Sequence, residues 1–398
     1  MPDAASSPAF DALVVGAGPA GLAAALGLRR AGLKAAAVGR LAPPAPGRTV
    51  ALLGRTLEFL EGLGVLAAIE AAAAPMRTLR IVDDTGSLFA PRPVEFRAAE
   101  LGRDVLGWNI ENAALASVLA EALGPEARFE AEVEAFDFRA DAARLTLGDG
   151  RSLTAALVVG ADGRGSPSRK AANIDMSARA LGQTALTLCL RHSRPHDDAS
   201  TEFHTREGPF TLVPLPPKPG APHRSSLVWL MRDASAERRK ALTDAELAAE
   251  VRAHAHAMLG EVEIEGARGA FPMTIQRVAR LTGTRLALIG DAAHAFPPIG
   301  AQGLNLGLRD VAEIVATAAR ARNDGADLGG EATLARYAAA RRPDIALRTL
   351  GVGALNASLL ADFAPVDAAR GFGLAALGAM RPLRRFAMRE GLNPFLAR

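Results

Sequence analysis

Gly290-Asp291-Ala292-Ala293-His294-Ala295-Phe296-Pro297-Pro298-Ile299-Gly300-Ala301-Gln302-Gly303-Leu304-Asn305-Leu306-Gly307-Leu308-Arg309-Asp310 follows the apolar run from Leu286 to Ile289. The order predicts a buried strand, an aspartate at its end, a Pro/Gly loop and a helix opening near Gly303. Asp291 accepts hydrogen bonds from a polyol. The glycines let backbone approach a flat ligand, and the helix N-terminus presents unpaired N–H groups to an electron-rich edge. A flavin offers all three. On this reading the backbone N–H groups of Gly300 to Leu304 face the N1–C2=O edge of the ring, and Pro297 and Pro298 fix the loop beside it.

Two further stretches stand in the matching order. Gly16-Ala17-Gly18-Pro19-Ala20-Gly21 comes directly after the apolar strand Asp11 to Val15 and opens an Ala/Leu-rich helix running to Arg30. That is the βαβ opening that holds a dinucleotide pyrophosphate, with Gly16, Gly18 and Gly21 as its close-approach positions. Leu157-Val158-Val159-Gly160-Ala161-Asp162-Gly163-Arg164-Gly165-Ser166-Pro167-Ser168-Arg169 reads as another buried strand ending in an Asp-Gly turn.

The three stretches together resemble the flavin motifs of the class A flavoprotein aromatic hydroxylases, the para-hydroxybenzoate hydroxylase group. Gln302-Gly303-Leu304-Asn305-Leu306-Gly307-Leu308-Arg309-Asp310 and the C-terminal region are similar to the branch that hydroxylates ubiquinone precursors. The resemblance implies an α/β fold, in which a Rossmann-like FAD-binding domain carries an inserted β-sheet substrate domain and C-terminal helices. It implies FAD as cofactor and NAD(P)H as co-substrate. The implied reaction is O2-dependent hydroxylation of a polyprenylated phenol in ubiquinone biosynthesis, through a flavin C4a-hydroperoxide. By the same resemblance Asp162 serves flavin and nicotinamide binding. Arg48 reaches the pyrophosphate or the incoming nicotinamide, and Asn112 is placed on the flavin phosphates or serves as a plain helix cap. Gln302, Gly303, Leu304 and Asn305 join the flavin loop.

One element departs from the pattern. The second strand, Lys34 to Val38, runs into Gly39-Arg40 and offers no terminal carboxylate to the adenosine ribose. Such a bond contributes roughly 1.5 to 3 kcal/mol, so looser FAD binding is expected. A carboxylate placed at position 39 is expected to tighten it. Arg40 would suit a phosphate, which keeps open another adenine nucleotide for the first motif.

Composition fits a large enzyme. The 398 residues suffice for a full core, and a formal net charge of +3 is too small to argue for nucleic acid. The single cysteine, Cys189, excludes a disulfide framework and fits a reducing cytosol. The N-terminus has no basic start or apolar core, so no signal peptide is expected and the localisation expected is cytoplasmic, peripheral at an inner membrane.

The FAD-binding domain is expected from residues 1–74, 107–177 and 277–342, and the substrate-binding sheet from 75–106 and 178–276. A C-terminal helical segment is expected over 343–398. Helices are predicted at Arg55 to Ala73, Asn109 to Leu123, Thr243 to Leu259, Glu331 to Arg342, Ile345 to Asp362 and Ala368 to Met380. The apolar C-terminal helices with basic flanks suit a helical cap, membrane headgroups or another quinone-biosynthesis protein. No catalytic base is evident. The one tyrosine, Tyr337, lies outside the substrate sheet, and the histidines read as scattered over loops and an exposed helix, with no metal-ligand spacing. Pro298 and His294 are the flavin-adjacent candidates, and His294 equally suits a structural role. Two alternatives stay open: a reductase of isoprenoid double bonds on the same fold, and a non-catalytic nucleotide- or prenyl-binding scaffold.

Overall fold

The computed structural model describes residues 8–41, 47–87, 90–297, 302–360 and 364–392. At its centre Phe10–Val15 lies between two parallel neighbours, Ala35–Val38 and Ser152–Gly160, and the latter pairs in turn with Leu286–Leu288. These strands read as continuous apolar runs because helices cover both faces. Ala12, Leu13 and Val14 are fully buried. Val133–Phe138 and Ala143–Leu147 extend the sheet as an antiparallel ribbon. The helices Pro19–Arg30 and Gln302–Asn323 pack against each other over this sheet.

A second sheet runs in the order His294–Ala295, Val262–Val278, Met176–His192, Arg224–Arg232, Gly208–Leu215, Ala199–Thr205, Thr78–Asp83, Val94–Arg97. Period-2 alternation gives it two different faces. Its outer face, with Leu186, Phe203, Phe210 and Trp229, is sealed by Leu247 and Val251 of the helix Asp244–His254. The edge of its inner face, around Val94 and Phe96, is covered by Leu374 and Met388 from the C-terminal helices. A third, three-stranded sheet joins Thr49–Leu53, Gly107–Glu111 and Ala74–Met76.

Several expectations are corrected. The helix Arg55 to Ala73 is two, Arg55–Gly62 and Leu66–Ala71, broken at Gly64, whose φ of +72° is left-handed. Asn109 to Glu111 is strand, because it pairs with Val50 and its neighbours, and the helix starts at Asn112. The expected Thr243 to Leu259 helix spans Asp244–His254, with Thr243 as its cap, and a separate helix, Asp233–Lys240, precedes it.

The expected break at Arg342-Pro343 is absent: Glu331–Leu360 is one helix with Pro343 inside it. A proline costs helix stability chiefly through a lost hydrogen bond and a steric clash. Here Tyr337, Arg341, Asp344 and Ile345 are buried on either side of it and hold the line. Met176–His192, Val262–Val278 and this helix all run across the expected domain boundaries.

Candidate flavin-binding site

The glycine loop after Phe10–Val15 is shaped by contacts that no side chain could share. Gly16 has φ +118°, and a Cβ there would lie 2.3 Å from the Ala161 carbonyl oxygen; one on Gly21 would lie 1.9 Å from that of Gly16. A Cβ on Gly18, by contrast, meets nothing within 4 Å, so space lies open above the loop. Gly18 is also the N-cap of Pro19–Arg30 and supplies no side chain to its N–H groups. Tight packing below, open space above and uncapped donors between them fit a pyrophosphate.

The three motif stretches meet at the ends of the parallel strands. The Asp162 carboxylate accepts from Ser166 Oγ at 2.5 Å, Ser168 N–H at 2.8 Å and Ser168 Oγ at 3.0 Å, so it braces its own turn. Buried Arg169 donates to the Ala292 carbonyl at 3.0 Å, tying this turn to the Asp291 stretch. Asp291 remains partly exposed and pairs with Arg164 at 3.4 Å. Arg48 and Asn112 also come together: the Asn112 N–H donates to the Arg48 carbonyl at 3.0 Å. The Arg48 guanidinium lies 5.3 Å from the centre of the Phe271 ring. Asn112 Oδ1 is buried with no hydrogen-bond partner, a vacancy suited to a ligand donor.

Other expected residues carry structural duties. Asn305 accepts the Leu53 N–H at 3.0 Å and donates to the Ala51 carbonyl at 2.6 Å, holding Thr49–Leu53 against its own helix. Gly303 and Leu304 lie in the first turn of that helix. Pro298 and Gly300 lie outside the described residues, as does the Gln302 side chain.

His294 does not face an open site. It is buried, with Nε2 2.7 Å from Asp310 Oδ2. Asp310 also accepts the Gly290 N–H at 2.9 Å and Arg341 Nε at 2.7 Å, and Arg341 continues to Asp344 at 2.9 Å. Burial pushes the Asp310 carboxyl up, but the charges of His294 and Arg341 and the hydrogen bonds from His294 and Gly290 outweigh it and hold it at about 2. This network was missed in the sequence. Its signal was a charged pair, Arg309-Asp310, deep in an otherwise apolar helix face. Burial pushes the Cys189 thiol up to about 11, so it is inert.

The profile of the FAD binding domain family matches residues 9–348. The chain belongs to this family. The flavoprotein is 34% identical over 393 residues to the ubiquinone hydroxylase UbiL of Rhodospirillum rubrum, covering 96% of this chain and 89% of the relative. It is 31% identical to the 3-demethoxyubiquinol 3-hydroxylase of Escherichia coli, covering 96% and 97%. Among solved structures, the p-nitrophenol 4-monooxygenase PnpA of Pseudomonas putida superposes with a TM-score of 0.78 at 20% identity, covering 98% and 99%. HpxO of Klebsiella pneumoniae, solved with FAD and uric acid, gives 0.76 at 19%, covering 97% and 96%. At those identities the structures establish the fold.

FAD fits what the residues offer. Gly16, Gly18 and Gly21 with the uncapped helix would hold the pyrophosphate, Asn112 and Arg48 would flank it, and Asp291 would take the ribityl hydroxyls.

Proposed function

We propose that this flavoprotein hydroxylates a polyprenylated phenol in ubiquinone biosynthesis, consuming NAD(P)H and O2. The observation that carries the reading is end-to-end similarity to two ubiquinone-pathway hydroxylases, motifs and C-terminal region included. Bound FAD, reduced by NAD(P)H, supplies the electrons that activate O2 for transfer of one oxygen atom to the ring. The chain's residues bind and orient. Asp291 and the glycine loop would fix the cofactor, and the second sheet would limit water at it. Tyr337 plays no part: its hydroxyl is buried and donates to the Leu288 carbonyl at 2.7 Å.

The substrate's tail accounts for the outer surface. Leu350, Phe372 and Phe386 are 72%, 77% and 63% exposed, and Phe386 shares its helix, Arg381–Leu392, with Arg381, Arg385 and Arg389. Among the described residues no single helix is long and apolar enough to cross a membrane. A peripheral contact with anionic headgroups matches this mixture of side chains, and a prenylated phenol would reach the flavoprotein from that surface.

The test is product analysis. With FAD-loaded protein, NAD(P)H and polyprenylphenols of graded tail length, the expected product gains one oxygen atom, its formation requires O2, and KM rises as the tail shortens. Buried CH2 groups contribute roughly 0.8 kcal/mol each, whereas para-hydroxybenzoate is expected to stimulate almost no NAD(P)H oxidation. O2-independent addition of hydrogen to the tail would establish the reductase instead, and equal turnover of a tailless phenol would make this a small-phenol hydroxylase.

A further inference from the structure

The inner face of the second sheet carries a buried acid and histidine whose roles the flavin motifs do not explain. Glu202 and His204 are alternate residues of Ala199–Thr205, 6% and 3% exposed, with His204 Nε2 2.9 Å from Glu202 Oε1. Their neighbour Phe203 points the other way, into the outer core. Thr211 Oγ1 lies 3.4 Å from Glu202 Oε2. With the carboxylate ionised, the short contact is met by Nε2–H donating, which leaves the Nδ1 lone pair as acceptor. That atom is buried and has no hydrogen-bond partner. Histidine bound at one nitrogen to a carboxylate, with the other nitrogen free, is the arrangement that takes a proton from a bound hydroxyl.

Strand register shows what the pair overlooks. Ile81, Glu202, Thr211, Val228 and Thr187 stand opposite one another across five neighbouring strands, forming one row on the inner face. Thr211 and Val228, in the middle of the sheet, remain partly exposed although their neighbours along each strand are mostly buried. The row therefore borders open space. At its Thr187 end the chain approaches the cofactor side, since Gly47 abuts the backbone of Leu188 and Arg48 stacks near Phe271. Three interstrand steps of ~4.8 Å separate Thr187 from Glu202, a span comparable with a substituted ring laid over Thr211 and Val228 with its hydroxyl toward the dyad.

We propose that His204, backed by Glu202, accepts the hydroxyl proton of the substrate phenol. This rests on the reading of the substrate as a phenol. In the step, the phenol O–H bond breaks, its electron pair stays on the oxygen, and the proton bonds to Nδ1. The imidazolium so formed is held by the Glu202 carboxylate, and the phenolate ring is a stronger nucleophile toward the oxygen it receives. The proton returns to the product's oxygen or to water. The other charged groups at this end are already paired: Asp83, opposite His204, with Arg370 at 3.3 Å, and Asp367 with Arg206 at 2.6 Å.

The experiment compares FAD-loaded wild type, His204→Gln and Glu202→Gln with 2-geranylphenol as probe, following hydroxylated product against pH. Glutamine at 204 keeps a donor toward Glu202 and has no basic nitrogen to take a proton. Hydroxylation at pH 7 is expected to fall roughly 10²- to 10⁴-fold in His204→Gln, and less in Glu202→Gln. FAD content should be unchanged. The deficit should shrink as pH approaches ~10, where a phenol ionises unaided. A His204→Gln rate equal to wild type, or a deficit constant across pH, overturns the assignment while leaving the phenol reading intact. If His204→Gln loses FAD, the pH profile of Glu202→Gln decides in the same way. Wild type that leaves the probe unhydroxylated removes the phenol reading, and this inference with it.

Discussion

Gly39 shows how one residue can reverse an argument made from its neighbours. The sequence marks it as the place of a missing ribose carboxylate, and restoring that acid promises tighter FAD binding. In the fold, Gly39 has φ +143°, and a Cβ would lie 3.2 Å from Ala17 N, against the glycine loop itself. A side chain there costs about 1–3 kcal/mol in backbone strain before it reaches any ligand. Gly39→Glu is therefore expected to lower both the melting temperature and FAD affinity. Tighter FAD in a fluorescence titration would show that the loop yields and the original argument stands. At this scale Gly16, Gly18 and Gly21 were legible because the pattern that marks them is contiguous in the sequence, although the contact that forbids a side chain at Gly16 comes from the distant Ala161 carbonyl. Asn305 and Asp162 lie in the motif stretches that the sequence marks, yet the duties seen for their side chains, pinning Leu53 and bracing Ser166 and Ser168, depend on partners whose positions no spacing reveals.

Among elements, the two long C-terminal helices of the nucleotide-binding part are joined through Asp310, which has no exposed surface and meets His294, Gly290 and Arg341. Asp310→Asn leaves Arg341 and His294 facing a neutral amide, and breaking a buried pair of this kind costs about 3–5 kcal/mol. A large fall in melting temperature, with FAD lost alongside, is expected; a change under ~1 kcal/mol in denaturant unfolding would show that the network is dispensable. The wild type should show the matching pH dependence. The folded carboxyl sits at about 2, below its ordinary 3.8, so its contribution is complete above pH ~4 and is lost as pH falls from there toward 2. Element types were largely legible where periodicity was long. They failed where tertiary contacts overrode local signals, as at Pro343, kept helical by buried neighbours, and at Asn109, drawn into a strand by Val50 and its neighbours.

For the whole molecule, the exposed apolar and basic side chains of the C-terminal helices give a surface test. Flotation with anionic vesicles is expected to carry the protein upward at low salt, and to do so less at high salt or with zwitterionic lipid. Phe372→Glu with Phe386→Glu should abolish flotation without altering FAD content. Equal flotation with neutral vesicles would assign the surface to something other than anionic lipid. The order of the three flavin motifs made the architecture legible from sequence. The histidines were misread because His192 and His204, in stretches with polar residues nearby in the sequence, lie on strands with a neighbouring strand on either side.

The two seventeen-residue strands Met176–His192 and Val262–Val278 are hydrogen-bonded to each other at both ends, from Met176 with Val278 to His192 with Val262. Both tie the substrate sheet to the nucleotide sheet as a paired girder. A chimera that borrows the substrate sheet of a related hydroxylase must therefore exchange both strands as a unit. A graft cut at either strand's midpoint leaves a half-ladder of unmatched backbone donors and acceptors at the seam.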